Sequence, residues 1–227
     1  GCVPLQVNFS ATTNNTVKNT WDFDNGVTNT GTVNSTSYTY TLHGDYIPKL
    51  ILEDAQGCKV AVKGIDTVKV KYVAAQFTKP TLPFCDSALA YFTSTSATND
   101  IIASHVWSFG DGTVVNGNNL TNHHYASTGL YGVKLRVTTQ TGCIDSILVA
   151  DAVKIVPTPK AVIKSDTAVC KNEYLQFSAS LVNADTSAIS WYWSFGNGNT
   201  STLQNPPAQQ YLNAGSYTLI NKVTNSS

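Results

Sequence analysis

Charge is what this chain has least of. Only 12% of its 227 residues are charged, and 14 Lys and Arg balance 14 Asp and Glu. The basic footprint that nucleic acid requires is missing. No run reaches the roughly 18 apolar residues that would mark a membrane-spanning helix. The opening "GCVPLQVNF" has neither a basic n-region nor a long apolar h-region, so export would need a signal outside it. Methionine is absent, Lys and Glu are scarce, and helical apolar spacing never persists beyond two turns. Catalytic signatures are missing too: there is no Gly-x-Ser-x-Gly elbow and no His-Glu-x-x-His. The 14 acids are too scattered to suggest a carboxylate pair facing one cleft. Cys-x-x-Cys spacing is also lacking, which argues against zinc. The expectation is a non-catalytic chain with no cofactor.

What is plentiful is Thr, Ser, Asn, Val and Tyr, a bias that suits strands joined by polar turns. The fold class is all-β. "LAYFTSTS", "HVWSF", "YGVKLRVTT" and "SILVADAVKIV" carry strand signals with period-two alternation. Tyr131, Val133, Leu135 and Val137 fall on one face, with Gly132, Lys134 and Arg136 on the other. Trp107 and Phe109 also share a face, so both rings can enter one core.

The chain repeats itself. Trp21, Trp107 and Trp193 are 86 and 86 residues apart. Tyr40, Tyr125 and Tyr211 are 85 and 86 apart, as are Gly44, Gly129 and Gly215, each glycine leading by two residues Tyr46, Tyr131 or Tyr217. A period near 85 is too long for a solenoid and right for a small autonomous sandwich. Three domains are expected over residues 1–72, 73–157 and 158–227, with joins near "KYVAAQF" and "KIVPTPKAV". The prolines of the second join predict a stiff, extended connector. Copies two and three open with a short strand before their first cysteine, which copy one lacks. Copy three ends before the last strand seen in copy two. A window cut from a longer array is the expectation.

Each copy carries an aromatic pair followed by Asn/Asp-Gly: "TWDFDNG", "VWSFGDG" and "YWSFGNG". Asp111 of copy two is Asn25 in copy one and Asn197 in copy three. Asn and Asp share turn chemistry but not acid–base chemistry. The motif therefore predicts a hairpin turn, with Gly26, Gly112 and Gly198 supplying a positive backbone dihedral. The rival is calcium held by loop carboxylates, with Asp22, Asp24 and Asp111 as weak candidates, since no copy offers a dense acidic loop. His123 and His124 are neighbours, and on a strand they point to opposite faces. Tyr192, out of phase with Trp191 and Trp193, is a candidate exposed aromatic for sugar or protein.

Cysteines recur in phase as well: an upstream one at Cys2, Cys85 and Cys170, and a "GC" at Cys58 and Cys143. The expected disulfides are Cys2–Cys58 and Cys85–Cys143, each closing nearly a whole domain and stabilising it by about 4 kcal/mol in the entropic model. Cys170 is left over, its partner falling just past Ser227. Such bonds imply an oxidising compartment; free buried thiols are the alternative.

Trp-x-Phe-Gly-Asp-Gly, then a His-x-Tyr-like step, then Gly-x-Tyr-x-Val-x-Leu-x-Val resembles the PKD domain, an immunoglobulin-like β-sandwich. Copy two matches through "VWSFGDGT" and "HHYASTGLYGVKLRV"; copy one departs most, with Asp24 where glycine is expected. The resemblance implies tandem PKD sandwiches of an extracellular, cell-surface protein. The early cysteine and late "GC-x-D-S/T" are similar to arrays in large Bacteroidota adhesins and gliding-associated proteins, cargo of type IX secretion. Short Asp-Ser/Thr-apolar sequences resemble the O-glycosylation signal of that phylum, which makes Thr67, Ser87, Ser146 and Thr167 candidate glycan carriers. The implied function is a stalk or spacer in adhesion or gliding motility. An accessory binding module of a secreted hydrolase is the alternative, and a component of the secretion and motility machinery is a third reading. The implied partners are neighbouring repeats and a surface polysaccharide or protein receptor.

Overall fold

The computed structural model describes residues 1–81, 83–182 and 189–225, and every regular element among them is a β-strand. The all-β expectation holds. By backbone contacts the chain falls into two compact units: Gly1–Lys79 with Tyr91–Thr121 and Gly132–Ala150, and Pro80–Ala90 with Asn122–Tyr131 and Asp151–Ser227.

In the first unit, the strand Leu5–Ser10 runs antiparallel to Ser35–Tyr40, and Gly44–Tyr46 runs antiparallel to Val68–Val70. A four-stranded antiparallel sheet follows the order Thr28–Gly31, Lys18–Asp22, Lys49–Glu53, Lys59–Lys63. The inward residues of these strands meet in a core of Trp21, Phe23, Tyr40, Leu50 and Val70, flanked by Leu5, Val7 and Phe9. The alternation of Leu5, Val7 and Phe9 with Gln6, Asn8 and Ser10 puts the apolar set on one face, as a strand packed on one side requires. In the same unit Ile102–Ser108 pairs with Val114–Gly117 on one side and with Lys134–Thr139 on the other. Val133, Leu135 and Val137 are fully buried and Lys134 and Arg136 exposed, as their alternation predicts. Phe92 packs between Trp107 and Phe109, with ring centroids 6.0 and 5.5 Å away.

In the second unit, Phe84–Cys85 lies parallel to Ile155 and Val156. Ala161–Ser165 pairs with Phe177–Leu181, Tyr174–Leu175 with Gln209–Gln210, and Ile189–Ser194 with Thr200–Ser201 and Ile220–Asn225. Its core gathers Phe177, Ala179, Trp193, Phe195 and Tyr211. Each of these aromatics stabilises the fold by roughly 1.5–3 kcal/mol through removal of apolar area from water.

Candidate functional site

The Asn/Asp-Gly corner has one geometry in all three copies. The amide of Phe23, Phe109 or Phe195 donates to the carbonyl of Val27, Thr113 or Asn199, at 3.1 Å each time. Inside this loop the side-chain Oδ1 of Asn25, Asp111 or Asn197 accepts the amide two residues on, at 3.2, 2.9 and 3.1 Å. An amide oxygen and a carboxylate oxygen do the same work, so the corner is a turn. Gly26, Gly112 and Gly198 have φ of 85°, 95° and 94°, the left-handed backbone that only glycine adopts freely. Gly110 (φ 80°) is needed twice over, because a Cβ there would run into the Gly132 carbonyl.

Copy one solves the Gly110 position differently. Asp24 takes φ 63° itself, and its carboxylate accepts the amide of Ile47 at 2.8 Å and lies 3.9 Å from the Lys49 ammonium. Asp22 accepts the amide of Asp24 at 2.9 Å. Asp22 and Asp111 thus each close a local backbone turn, and Asp24 ties its corner to the backbone at Ile47. Among the described residues no three His, Cys, Asp or Glu side chains converge. His123 stands edge-on to the Tyr125 ring at 4.6 Å, the place Tyr38 takes beside Tyr40 at 4.9 Å, whereas His124 is exposed.

The Gly-x-Tyr motif also has a physical role. Tyr46, Tyr131 and Tyr217 fold back to donate to the carbonyl four residues earlier, at 3.1, 2.9 and 2.8 Å. They lie 4.4–4.5 Å from the rings of Tyr40, Tyr125 and Tyr211. The Tyr40 and Tyr211 hydroxyls donate to the carbonyls of Phe23 and Phe195 at 3.1 and 3.0 Å, tying the tyrosine to the aromatic pair. Burial, with the neighbouring Tyr38 and Tyr46, pushes the Tyr40 phenol up to about 12.

The cysteines correct the sequence reading. Cys2 is bonded to Cys143, with Cα atoms 5.4 Å apart, whereas Cys58, Cys85 and Cys170 are free and exposed. The expected pairs Cys2–Cys58 and Cys85–Cys143 do not form. Cys58 closes the turn that opens the Lys59–Lys63 strand: Asp54 N donates to Cys58 O, and Gly57 N to Asp54 O. Cys2 is bridged in parallel to Lys71, thirteen residues beyond Cys58 and past the separate strand Val68–Val70. Largely extended chain rises about 3.3 Å per residue, and a disulfide needs Cα atoms within about 7 Å. The same thirteen residues separate Cys143 from Val156, the partner of Cys85.

Cys143 instead reaches the copy before its own. It sits in the equivalent turn, where Thr139 N donates to Cys143 O and Gly142 N to Thr139 O. Around that turn, the end of copy one and the connector that follows it meet loops of copy two. Tyr72 N donates to Asn99 Oδ1 at 3.0 Å, Lys71 Nζ to Asn99 O at 3.2 Å, and Asn99 Nδ2 to Val70 O at 3.1 Å. Ala75 N donates to the Asp145 carboxylate at 2.8 Å, and Val73–Ala74 pairs with Ala97–Thr98. Asp100 accepts the Thr141 hydroxyl and amide, which holds its carboxyl well below the usual range. These polar groups all find partners, so the joint is built from matched donors and acceptors plus one covalent bond.

At the second join the Asp86 carboxylate accepts the amide and hydroxyl of Thr158, at 2.8 and 2.6 Å. Those bonds lower its pKa. This clamp and the Asn99 contacts went unread in the sequence, because nothing marks which turn of one copy abuts the connector of another. A different signal was available: Cys2, Cys85 and Cys170 each stand seven residues before Phe9, Phe92 and Phe177, whose rings pack on the core tryptophans. Thr67, Ser87, Ser146 and Thr167 are all exposed, and Tyr192 is 44% exposed.

Among solved structures, the PKD1 domain of Vibrio anguillarum Epp is 24% identical with a TM-score of 0.32, covering 37% of this chain and 95% of its own. A carbohydrate-binding module of the β-sandwich superfamily is 17% identical with a TM-score of 0.33, over 67% of this chain and 83% of its own. The fibronectin(III)-like modules of Clostridium thermocellum CbhA are 14% identical with a TM-score of 0.28, over 68% and 88%. The family model of the PKD domain matches residues 2–70, 75–155 and 156–227 in succession. The chain, nearly all of which lies in these three matches, belongs to the PKD domain family as a tandem array of its modules.

Proposed function

We propose that this chain is a structural repeat segment of a bacterial cell-surface protein, a stalk that sets distance and stiffness in adhesion or gliding motility. The observation that carries the reading is the Cys2–Cys143 bond, which ties one copy to the next where Asn99 and Asp145 also engage the connector. A module whose task is to hold a ligand has no need of a covalent joint to its neighbour; a load-bearing rod does. The bond also fits an oxidising location outside the cytoplasm. The repeated letters then serve architecture: core aromatics, hairpin corners and tyrosine clasps. Domains with joins after residues 72 and 157 belong to the same reading, as do glycans on Thr67, Ser87, Ser146 and Thr167.

The test is binding. The 227-residue chain, immobilised through its C-terminus, is offered a glycan array and solubilised surface polymers. A stalk retains nothing above a denatured control. Saturable retention of a polysaccharide or protein would overturn the reading in favour of an accessory binding module.

A further inference from the structure

Three cysteines are left without partners by the observed bond, and the fold says what they are. The chain contains two kinds of cysteine site. An upstream site lies beside the end of its own copy's last strand. Cys2 is bridged in parallel to Lys71, with Val3 N donating to Lys71 O at 2.9 Å. Cys85 pairs in parallel with Val156, with Asp86 N donating to Val156 O at 2.8 Å. The two sites have the same backbone bonds, one residue after the cysteine in each case. A turn site lies in a hairpin thirteen residues earlier, which opens Lys59–Lys63 in copy one and Ile144–Val156 in copy two. Cys143 and Cys58 both accept, through their carbonyls, the amide four residues earlier, at 2.9 and 3.1 Å. In each hairpin the cysteine amide is held by the side chain at that earlier position: Thr139 Oγ1 at 3.1 Å and Asp54 Oδ1 at 2.9 Å.

The observed disulfide joins one site of each kind, upstream in copy one to turn in copy two. Both ends of the bond thus belong to equivalent positions that recur down the chain. We infer that this is a rule of the array: the upstream cysteine of each PKD repeat bonds the turn cysteine of the next repeat in the same polypeptide. Cys58 is then the acceptor half for the upstream cysteine of a repeat joined ahead of copy one. Cys85 is the donor half for the turn cysteine of the repeat joined at Pro157, and Cys170 for that of the repeat beyond. Their exposure follows, because each waits at a face that a neighbouring repeat covers. The two sites differ in backbone setting, a parallel bridge at a strand end against a hairpin turn, and copies one and two each carry one of either kind.

Closing such a bond requires a disulfide oxidant, either a low-molecular-weight disulfide or a dithiol–disulfide oxidoreductase. The Cys85 thiolate attacks the oxidant, forming a mixed disulfide and releasing one thiol. The turn thiolate of the neighbour then attacks the Cys85 sulfur and releases the second thiol. Two protein thiols lose two protons and two electrons, and the oxidant disulfide becomes two thiols.

The native protein that carries this chain is collected from the cell surface in N-ethylmaleimide, digested without reductant and mapped by mass spectrometry. The expected result is Cys2–Cys143, with Cys58, Cys85 and Cys170 each in a disulfide to a cysteine of the opposite kind in the adjacent repeat, on a chain that runs as a monomer in a non-reducing gel. Recovery of Cys58 or Cys85 as its maleimide adduct would overturn the rule. So would a Cys58–Cys85 peptide, a pair of like sites, or a covalent dimer that places the partner in a second polypeptide.

Discussion

Replacing Cys2 by Ser removes the joint's covalent bond with little other damage, because Cys2 is only partly buried whereas Cys143 is 3% exposed. The bond closes a loop with a sequence separation of 141, for which the chain-entropy relation gives about 5 kcal/mol at 25 °C. That figure is a ceiling, since the loop contains folded modules and the Asn99 and Asp145 hydrogen bonds still hold the joint at about 1 kcal/mol apiece. The assay is urea unfolding of the oxidised chain, the reduced chain and Cys2→Ser, followed by hydrogen exchange at the Phe23 and Phe109 amides. With a slope of about 2 kcal/mol per molar urea, a loss of ~3–5 kcal/mol lowers the midpoint by roughly 1.5–2.5 M. Reduced wild type and Cys2→Ser should then coincide, and Cys58→Ser, which removes an exposed free thiol, should behave as oxidised wild type. If Cys2→Ser keeps the oxidised midpoint while Cys58→Ser lowers it, the pairing and the reasoning behind it are wrong.

Asp111→Asn should be silent within about 0.5 kcal/mol and Asp111→Ala should cost about 1 kcal/mol, read as exchange of the Thr113 amide that Asp111 holds. Trp107 Nε1 donates to Asn118 O at 3.2 Å, whereas the buried Trp21 Nε1 has no partner. Trp107→Phe is therefore expected to cost ~1–3 kcal/mol and Trp21→Phe about 1 kcal/mol less, measured by exchange at Phe109 and Phe23. Burial lowers the pKa of His105, so the unfolded chain binds its proton more readily. Stability should rise with pH across the interval just below about 6.5 and flatten in His105→Leu, checked by thermal midpoints against pH. Asp86 and Asp100 have lowered values, so their contribution is present above about 4 and lost as pH falls towards the folded values. Exchange of the Thr158 and Thr141 amides should accelerate there.

Much of the fold is written in the period. Trp107 and Phe109 are buried because two residues on a strand face one way, and the three Asn/Asp-Gly corners turn alike because their side chains share an acceptor. What the sequence hides is anything set by how one copy follows another. Cys2 and Cys58 look like a pair because they bracket one copy, yet Cys2 is bridged to Lys71, thirteen residues beyond Cys58, and only the turn-to-connector arrangement brings Cys143 near. Asp24 was equally opaque: a non-glycine at a left-handed position becomes legible only when the amide of Ile47 is seen on its carboxylate.

The position of Cys2 has a mechanical corollary. Tension applied at Gly1 and Pro157 passes through one sulfur–sulfur link and then along Cys143 to Pro157, a short fully drawn path of about 3.3–3.6 Å per residue. Residues 3–142 hang slack inside the covalent ring, spared from the pull while the cystine is intact. Reduction of that one link would thus lengthen the path that resists the pull from the Cys143–Pro157 segment to the whole of residues 1–157.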